Sequence, residues 1–390
     1  MSDALMNSYE RLGVSFVRGE GSYIFNDADE RFLDCATGGG VSTFGHAHPH
    51  LTKTLKDQAD RLWHMCNEYE SRDQVQLAER LCTASFADAA TFGSTEAEAI
   101  ESAIKLALAF HASQRDDARF RIISFKGSDH GPSLAVPSGP ARTDLTNMTA
   151  DAFDIVAADD EAGLTKLMGN ETAAILVEPI QGDAGVNVMK PDFLRLLRKL
   201  CDEHGALLIF DETESGMGRT GRLFAHQWAD VEPDIMAIAR GLGGGYPLSA
   251  CLATEKVAKS MKPHLHGSTY GNSPLAMAVG NAVMDLVSAP ELLDHIVAVA
   301  DQFRCGLFPM KAKFPDLFER VKGSGLMLGI ELAFPATQFV KICLENQLLC
   351  AVSPGNIVRL LPPLTISSDE VSEALEKLEA ALTASAEVSQ

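Results

Sequence analysis

Short apolar runs recur along the middle of the chain, each followed by a stretch of helical periodicity. Arg121-Ile122-Ile123-Ser124-Phe125, Ala173-Ala174-Ile175-Leu176-Val177 and Ala206-Leu207-Leu208-Ile209-Phe210 are almost continuously hydrophobic. Runs of this length with little polar alternation suit strands buried on both faces. Between them, segments such as Lys190 to Glu203 space their apolar residues as an amphipathic helix does. Alternating strand and helix predicts an α/β fold with a mostly parallel sheet covered on both sides. Two of these strands end in an acid, Glu178 after Val177 and Asp211 after Phe210. Ligands bind beyond the carboxyl ends of strands in such sheets, so both acids are site candidates. An ordinary solvated loop acid is the competing reading for each.

The pattern changes after about Ala289. A long helix is predicted from Pro290 to Phe314, then a strand over Gly323 to Leu332, then a strand and turn over Asn356 to Pro363. These make a smaller α+β domain. The strand-like Gly21-Ser22-Tyr23-Ile24-Phe25 lies before the sheet region and is expected to join it. The divisions expected are therefore 1–45 for a segment joining the small domain, 46–288 for a large domain and 289–390 for the small one. Thr383 to Gln390 is expected to be a frayed tail.

Composition narrows the partners. The 390 residues are 46% hydrophobic, enough for a large core, and the formal net charge of −20 disfavours nucleic acid and anionic membranes. A local basic pocket could still hold a phosphate. The eight cysteines are scattered without a C-x-x-C pair, so neither a disulfide framework nor a metal site is expected. Met1 to Arg18 has no apolar core of a signal peptide, and no run reaches membrane-spanning length, which predicts a cytoplasmic protein. Trp63 and Trp228 are expected to be packing residues, and His46, His48 and His130 structural rather than catalytic.

The glycine turn Gly241-Leu242-Gly243-Gly244-Gly245-Tyr246-Pro247 and the loop His266-Gly267-Ser268-Thr269-Tyr270-Gly271 are weak signals singly. In order they are informative. Val177-Glu178-Pro179-Ile180-Gln181-Gly182, Phe210-Asp211-Glu212, Gly216-Met217-Gly218-Arg219-Thr220-Gly221, Pro233-Asp234-Ile235-Met236, the glycine turn and His266 to Pro274 together resemble a class III aminotransferase of fold type I. Phe16 to Gly21, Gly45-His46-Ala47-His48-Pro49 and Val358-Arg359-Leu360-Leu361-Pro362-Pro363-Leu364 resemble the acetylornithine branch in particular.

The resemblance implies a large domain on a seven-stranded, mostly parallel sheet plus a smaller α+β domain. It implies amino transfer between acetylornithine, or a related ω-amine donor, and 2-oxoglutarate on pyridoxal phosphate, in a homodimer. Asp211 matches the aspartate at the pyridine nitrogen, Ser268 and Thr269 the hydroxyls reaching the neighbouring subunit's phosphate, Arg359 the arginine for a substrate carboxylate, and Glu178 a pocket glutamate.

Five positions depart from the family pattern. The Schiff-base lysine position is Arg240, and a guanidinium stays protonated and is no nucleophile. Asp129 stands where an aromatic stacks on the cofactor, and Pro132 where an arginine follows His-Gly. In the phosphate loop Ser94-Thr95-Glu96-Ala97, Glu96 replaces a glycine; Glu214 replaces the glutamine at the cofactor's ring hydroxyl. An anion at a helix start competes with a phosphate there. The expectation is a cofactor weakly bound or absent with no internal aldimine, and Arg240 in an ion network with Asp211, Asp129 and Glu214. The expected function is a pseudoenzyme of acetylornithine aminotransferase type. An active divergent aminotransferase is one alternative. Lysine-independent chemistry on pyridoxal phosphate, with His130 or another base, is the other. The altered groups serve a subunit's own cofactor, whereas Ser268 and Thr269 serve the neighbour's. A heterodimer with a catalytic paralogue would show that pattern, and so would retention of the two residues for the interface alone.

Overall fold

The computed structural model describes residues 4, 6, 8, 10–116, 118–130 and 152–388; Pro132 lies outside them. The buried apolar runs form a seven-stranded sheet. Its order is Ala89–Gly93, Ser249–Ala253, Ile235–Ile238, Leu207–Asp211, Thr172–Val177, Arg121–Phe125, Phe153–Val156. Ser249–Ala253 runs antiparallel to both its neighbours, and the remaining pairings are parallel. Thr172–Val177 and Leu207–Asp211 are buried at every position, as continuous apolar strands between two helical layers require.

Helices Glu96–Ser113 and Pro191–His204 belong to those layers. The first packs Ile100, Leu106 and Phe110 in a cluster with Ile122, Leu176 and Ile209 of the sheet. The second turns Phe193, Leu197 and Cys201 towards the larger core on the other side. It starts at Pro191 and ends on Gly205 in the left-handed region, the start and stop that proline and glycine favour.

A second sheet, of Phe318–Ser324, Met327–Leu332, Ile357–Leu360 and Ala351–Ser353, is antiparallel throughout. Two local expectations change here. Gly323 to Leu332 is a hairpin rather than one strand, because Gly325, at φ +56°, turns the chain. Thr383 to Val388 is not a frayed tail: these residues belong to helix Ser368–Val388, and Ser385 is buried, while residues 389 and 390 lie outside the described residues. At the other end of the chain, Gly21-Ser22 sits between two strands, Phe16–Glu20 and Tyr23–Asn26. That hairpin leads to Arg31–Asp34, which pairs in parallel with Leu348–Leu349 and sets the N-terminal ribbon on the C-terminal segment. No described helix is long and apolar enough to cross a membrane, and all eight cysteines are free thiols. Trp63 is two-thirds exposed rather than packed, and Trp228 is also exposed.

A two-way backbone bridge, Gly21 N to His46 O at 3.0 Å and His46 N to Gly21 O at 2.7 Å, holds the ribbon against the loop before the first long helix. Gly45 makes this approach possible: its φ is +79°, and a Cβ there would lie 2.5 Å from Gly21 O. Gly45→Ala is expected to lose about 1–3 kcal/mol, seen as a lower urea midpoint with an unchanged slope. An unshifted midpoint would show that the bridge has no such constraint.

Candidate active site

The parallel strands point their carboxyl ends one way, and the candidate residues collect there. Asp211 ends Leu207–Asp211, Glu178 follows Thr172–Val177, and Arg240 follows Ile235–Ile238 after Ala239. Ser94, Thr95 and Glu96 join Ala89–Gly93 to the helix Glu96–Ser113. Arg359 arrives from the second sheet, within Ile357–Leu360.

Arg240 is the centre of the charge arrangement. Its Nη2 and Nε donate to Glu96 Oε2 at 3.0 and 3.2 Å, and its Nη1 to Glu214 Oε1 at 2.9 Å and Gly39 O at 3.0 Å. Asp183 Oδ2 stands 3.8 Å from Nη2. Arg359 pairs with both Asp183 and Glu214. Arg240, Glu214, Arg359 and Asp183 therefore form a closed ring of alternating charge, with Glu96 attached at Arg240. This corrects the expected network. Glu214 is a partner, but Asp211 and Asp129 are not among the ion-pair partners of Arg240. The reason is geometric: Glu96 and Asp183 reach the guanidinium, while Asp211 is engaged elsewhere.

Burial and charge oppose each other in this ring. Burial alone would lower the Arg240 guanidinium, but Glu96 and Asp183 hold it above its ordinary value. Burial raises Glu96 despite Arg240 beside it. Burial also lowers Arg359, with Asp183 working against it. The Arg240 backbone has φ +37°, an uncommon conformation for a side-chain-bearing residue that the surrounding contacts must hold.

Asp211 is buried and oriented by the protein. Its Oδ2 accepts from His130 Nδ1 at 2.7 Å, and its Oδ1 from Thr213 N at 3.1 Å and Thr213 Oγ1 at 2.6 Å. Ser124 Oγ lies 3.0 Å from the other ring nitrogen of His130. A carboxylate fixed in this way retains lone pairs to accept from a protonated ring nitrogen. Glu178 Oε2 accepts from Asp129 N at 3.2 Å. Burial, helped by Asp211, pushes Glu178 well above the usual carboxylate range.

The phosphate-loop residues meet an acid that the sequence reading missed. Glu98 Oε2 accepts from Ser94 N and Thr95 N, both at 2.8 Å, and from Thr95 Oγ1 at 3.0 Å. Its Oε1 accepts from Ser268 Oγ of the same chain at 2.6 Å. Burial works the other way, yet these donors hold Glu98 below its ordinary value. The spacing T-x-x-E is a capping box, so Glu98 was open to recognition from the sequence. Asp183, by contrast, carried no local signal. Ser268 and Thr269 were expected to serve a neighbouring subunit; within one chain the Ser268 hydroxyl belongs to Glu98.

The chain matches the class-III aminotransferase family over residues 5–382. It belongs to that family. Acetylornithine aminotransferase of Agrobacterium fabrum is 45% identical to it over 380 residues, which cover 97% of this chain and 95% of the relative. An N-acetylornithine aminotransferase from Stenotrophomonas maltophilia superposes with a TM-score of 0.86 at 35% identity, covering 97% of this chain and 98% of that one. An ornithine aminotransferase from Toxoplasma gondii, whose structure has partial occupancy of PLP at its active site, superposes at 0.92 with 28% identity and covers 98% and 93%. The protein is thus a class-III aminotransferase relative of acetylornithine aminotransferase type, with the α/β fold expected of it.

Two outcomes test the site. Breaking one partner of a buried ion pair costs about 3–5 kcal/mol, and the Arg240 side chain is only 19% exposed. Arg240→Met should therefore lose about 3 kcal/mol in urea melts, and adding Glu96→Gln should recover part of it. Strict additivity of the two would dissolve the coupling. For Glu178, the folded chain holds its proton to higher pH than the unfolded chain. Stability from this group is complete below the unfolded carboxylate pKa of about 4.3 and falls as pH rises through the folded value. Glu178→Gln should accordingly gain stability relative to the parent between acid and neutral pH. A gap that does not change with pH would remove Glu178 as the cause.

Proposed function

We propose that this chain is an acetylornithine-aminotransferase-like protein that has exchanged lysine-based transamination for a self-paired pocket. The observation that carries this reading is Arg240, tied to Glu96 and Glu214 where an amine nucleophile would be needed. Pyridoxal phosphate fits the remaining residues at one end only. Asp211 suits its pyridine nitrogen, but the phosphate end offers donors already bound to Glu98, with the Glu96 carboxylate alongside. No reaction step is assigned through the cofactor on these residues.

A second reading, an active aminotransferase acting on acetylornithine or another ω-amine, is favoured by 45% identity along nearly the whole chain to an acetylornithine aminotransferase. Purified protein with excess pyridoxal phosphate separates the two. The first reading expects no visible absorbance beyond free cofactor, no borohydride-trapped adduct and no glutamate formed from acetylornithine and 2-oxoglutarate. Turnover, or a trapped adduct, would establish the second. Arg240→Lys alone is expected to remain inactive, because Glu96 and Asp129 still oppose the cofactor; substantial turnover in that variant would overturn the first reading's account of the pocket.

Pairing belongs to the same proposal. Leu62, Trp63, Tyr69, Val75 and Tyr270 are exposed. Tyr69 O accepts from Asn272, and His64 packs on Tyr270, which joins these side chains to the Ser268 loop. This face supports a homodimer, or a heterodimer with a catalytic paralogue in which Ser268 and Thr269 complete the partner's site. Co-expression and tandem-tag pull-down distinguish them: recovery of both tagged chains supports the mixed pair, and recovery of one alone rejects it.

A further inference from the structure

An open cleft of about 860 Å³ lies away from the site around Arg240. Helix Pro191–His204 contributes Arg195 and Arg198 to it, and the loop from His226 to Asp234 contributes most of the rest. Asp234 stands at the amino end of Ile235–Ile238, whereas Arg240 follows the carboxyl end of the same strand. The cleft and the candidate active site share no residue. Its volume falls within the roughly 300–1,000 Å³ of small-molecule sites.

His226 is the cleft residue whose chemistry is fixed by the fold. It is 4% exposed, and its ring is held between Phe224, stacked at 5.8 Å, and the edge-on Phe86 at 6.0 Å. Its Nδ1 donates to Glu212 Oε1 at 2.9 Å. The two oxygens of Glu212 also accept from His226 N at 2.8 Å and Ala225 N at 2.6 Å. A carboxylate that only accepts keeps the hydrogen on Nδ1, and Nε2 of the neutral ring is then an acceptor. Nε2 makes no hydrogen bond among the described residues and is not one of the unpaired atoms sealed from solvent, so it opens on the cleft that His226 lines.

The charges around it are unbalanced. Arg195 donates to Asp192 at 2.7 Å and Ala229 O at 2.8 Å. Arg198 pairs with Asp202 and Asp234, both at 2.8 Å, and its Nε is sealed from solvent. Both arginines are thus already matched. Asp230 and Glu232 are exposed on the same cleft and have no ion-pair or hydrogen-bond partner among the described residues. The cleft therefore offers a positioned acceptor and two unmatched negative charges.

We propose that this cleft binds a small organic cation with N–H donors, an alkylammonium or an alkylguanidinium. His226 Nε2 accepts its hydrogen bond, Asp230 and Glu232 balance its charge, and Phe86 and Val231 give its carbon chain an apolar wall. Glu212, which orients the imidazole, directly follows Asp211, so one turn of chain positions both the cleft and the pocket at Asp211. The inference stands whichever reading of the enzyme activity holds.

Thermal melts of the full chain at pH 8 and constant ionic strength test this, with n-butylammonium and n-butylguanidinium as probes. Butyrate and tetramethylammonium, an anion and a cation without N–H, are the controls. A ligand that binds only the folded state raises the midpoint. The expected result is a saturable rise with at least one probe and none with either control. Saturation by one probe alone identifies the ammonium or the guanidinium as the preferred head group. The double variant Asp230→Asn, Glu232→Gln should bind the same probe about tenfold more weakly. It removes two exposed, unpaired charges, and asparagine tolerates the φ of +51° at position 230. A crystal soaked in the saturating probe needs no variant: a probe nitrogen within about 3.2 Å of His226 Nε2 is expected. No saturable rise with either probe overturns the proposal, as does an equal rise with a control or undiminished binding in the double variant. Probe density that leaves His226 Nε2 without a donor overturns it as well.

Discussion

A guanidinium held away from water must be surrounded by acceptors, and the region around Arg240 is arranged by that requirement. Its donors reach Glu96 at the start of one helix, Glu214 in the turn after a central strand and Gly39 O in the N-terminal glycine turn. Glu214 then meets Arg359 from the second sheet, and Asp183 closes the ring. Segments hundreds of residues apart in sequence thus share one electrostatic balance. Removal of Arg240 leaves Glu96 without its arginine, whereas Arg240 and Arg359 each have more than one carboxylate partner, so the cost of a change depends on which member is lost.

The neighbouring acids are handled differently. Asp211 is held by hydrogen bonds from His130 and Thr213 rather than by an arginine. Glu178 accepts from Asp129 N, and burial pushes it above the usual carboxylate range. Glu98 is fully served by the helix cap and Ser268. One pocket therefore contains a paired acid, an oriented acid, an acid raised by burial and a capping acid. The family relationship accounts for where these residues stand; burial and partners together set the environment of each.

The strands of the main sheet were legible because burial on both faces leaves continuous apolar runs, as in Thr172–Val177 and Leu207–Asp211. The hairpin at Gly323–Gly325 was not, since a glycine-rich apolar run has the same composition whether it passes straight or turns. The end of the last helix, from Thr383, reads as a tail because its small residues, Ala384 and Ser385 among them, give a weak hydrophobic signal although Ser385 is buried. In the site, Arg240 and Glu214 could be linked by motif position. The closure through Asp183 and the seating of Ser268 on Glu98 depend on contacts 57 and 170 residues apart, which no local pattern encodes.

The ring at Arg240 also changes what the fold depends on. A protein stabilised by a dissociable small molecule gains stability with the logarithm of that molecule's free concentration. An intramolecular ring has no such variable: Glu96, Asp183 and Glu214 are present at a fixed effective concentration whenever the chain is folded. These side chains hold the pocket together by contacts whose strength responds to salt and pH but needs no supply of a diffusible ligand.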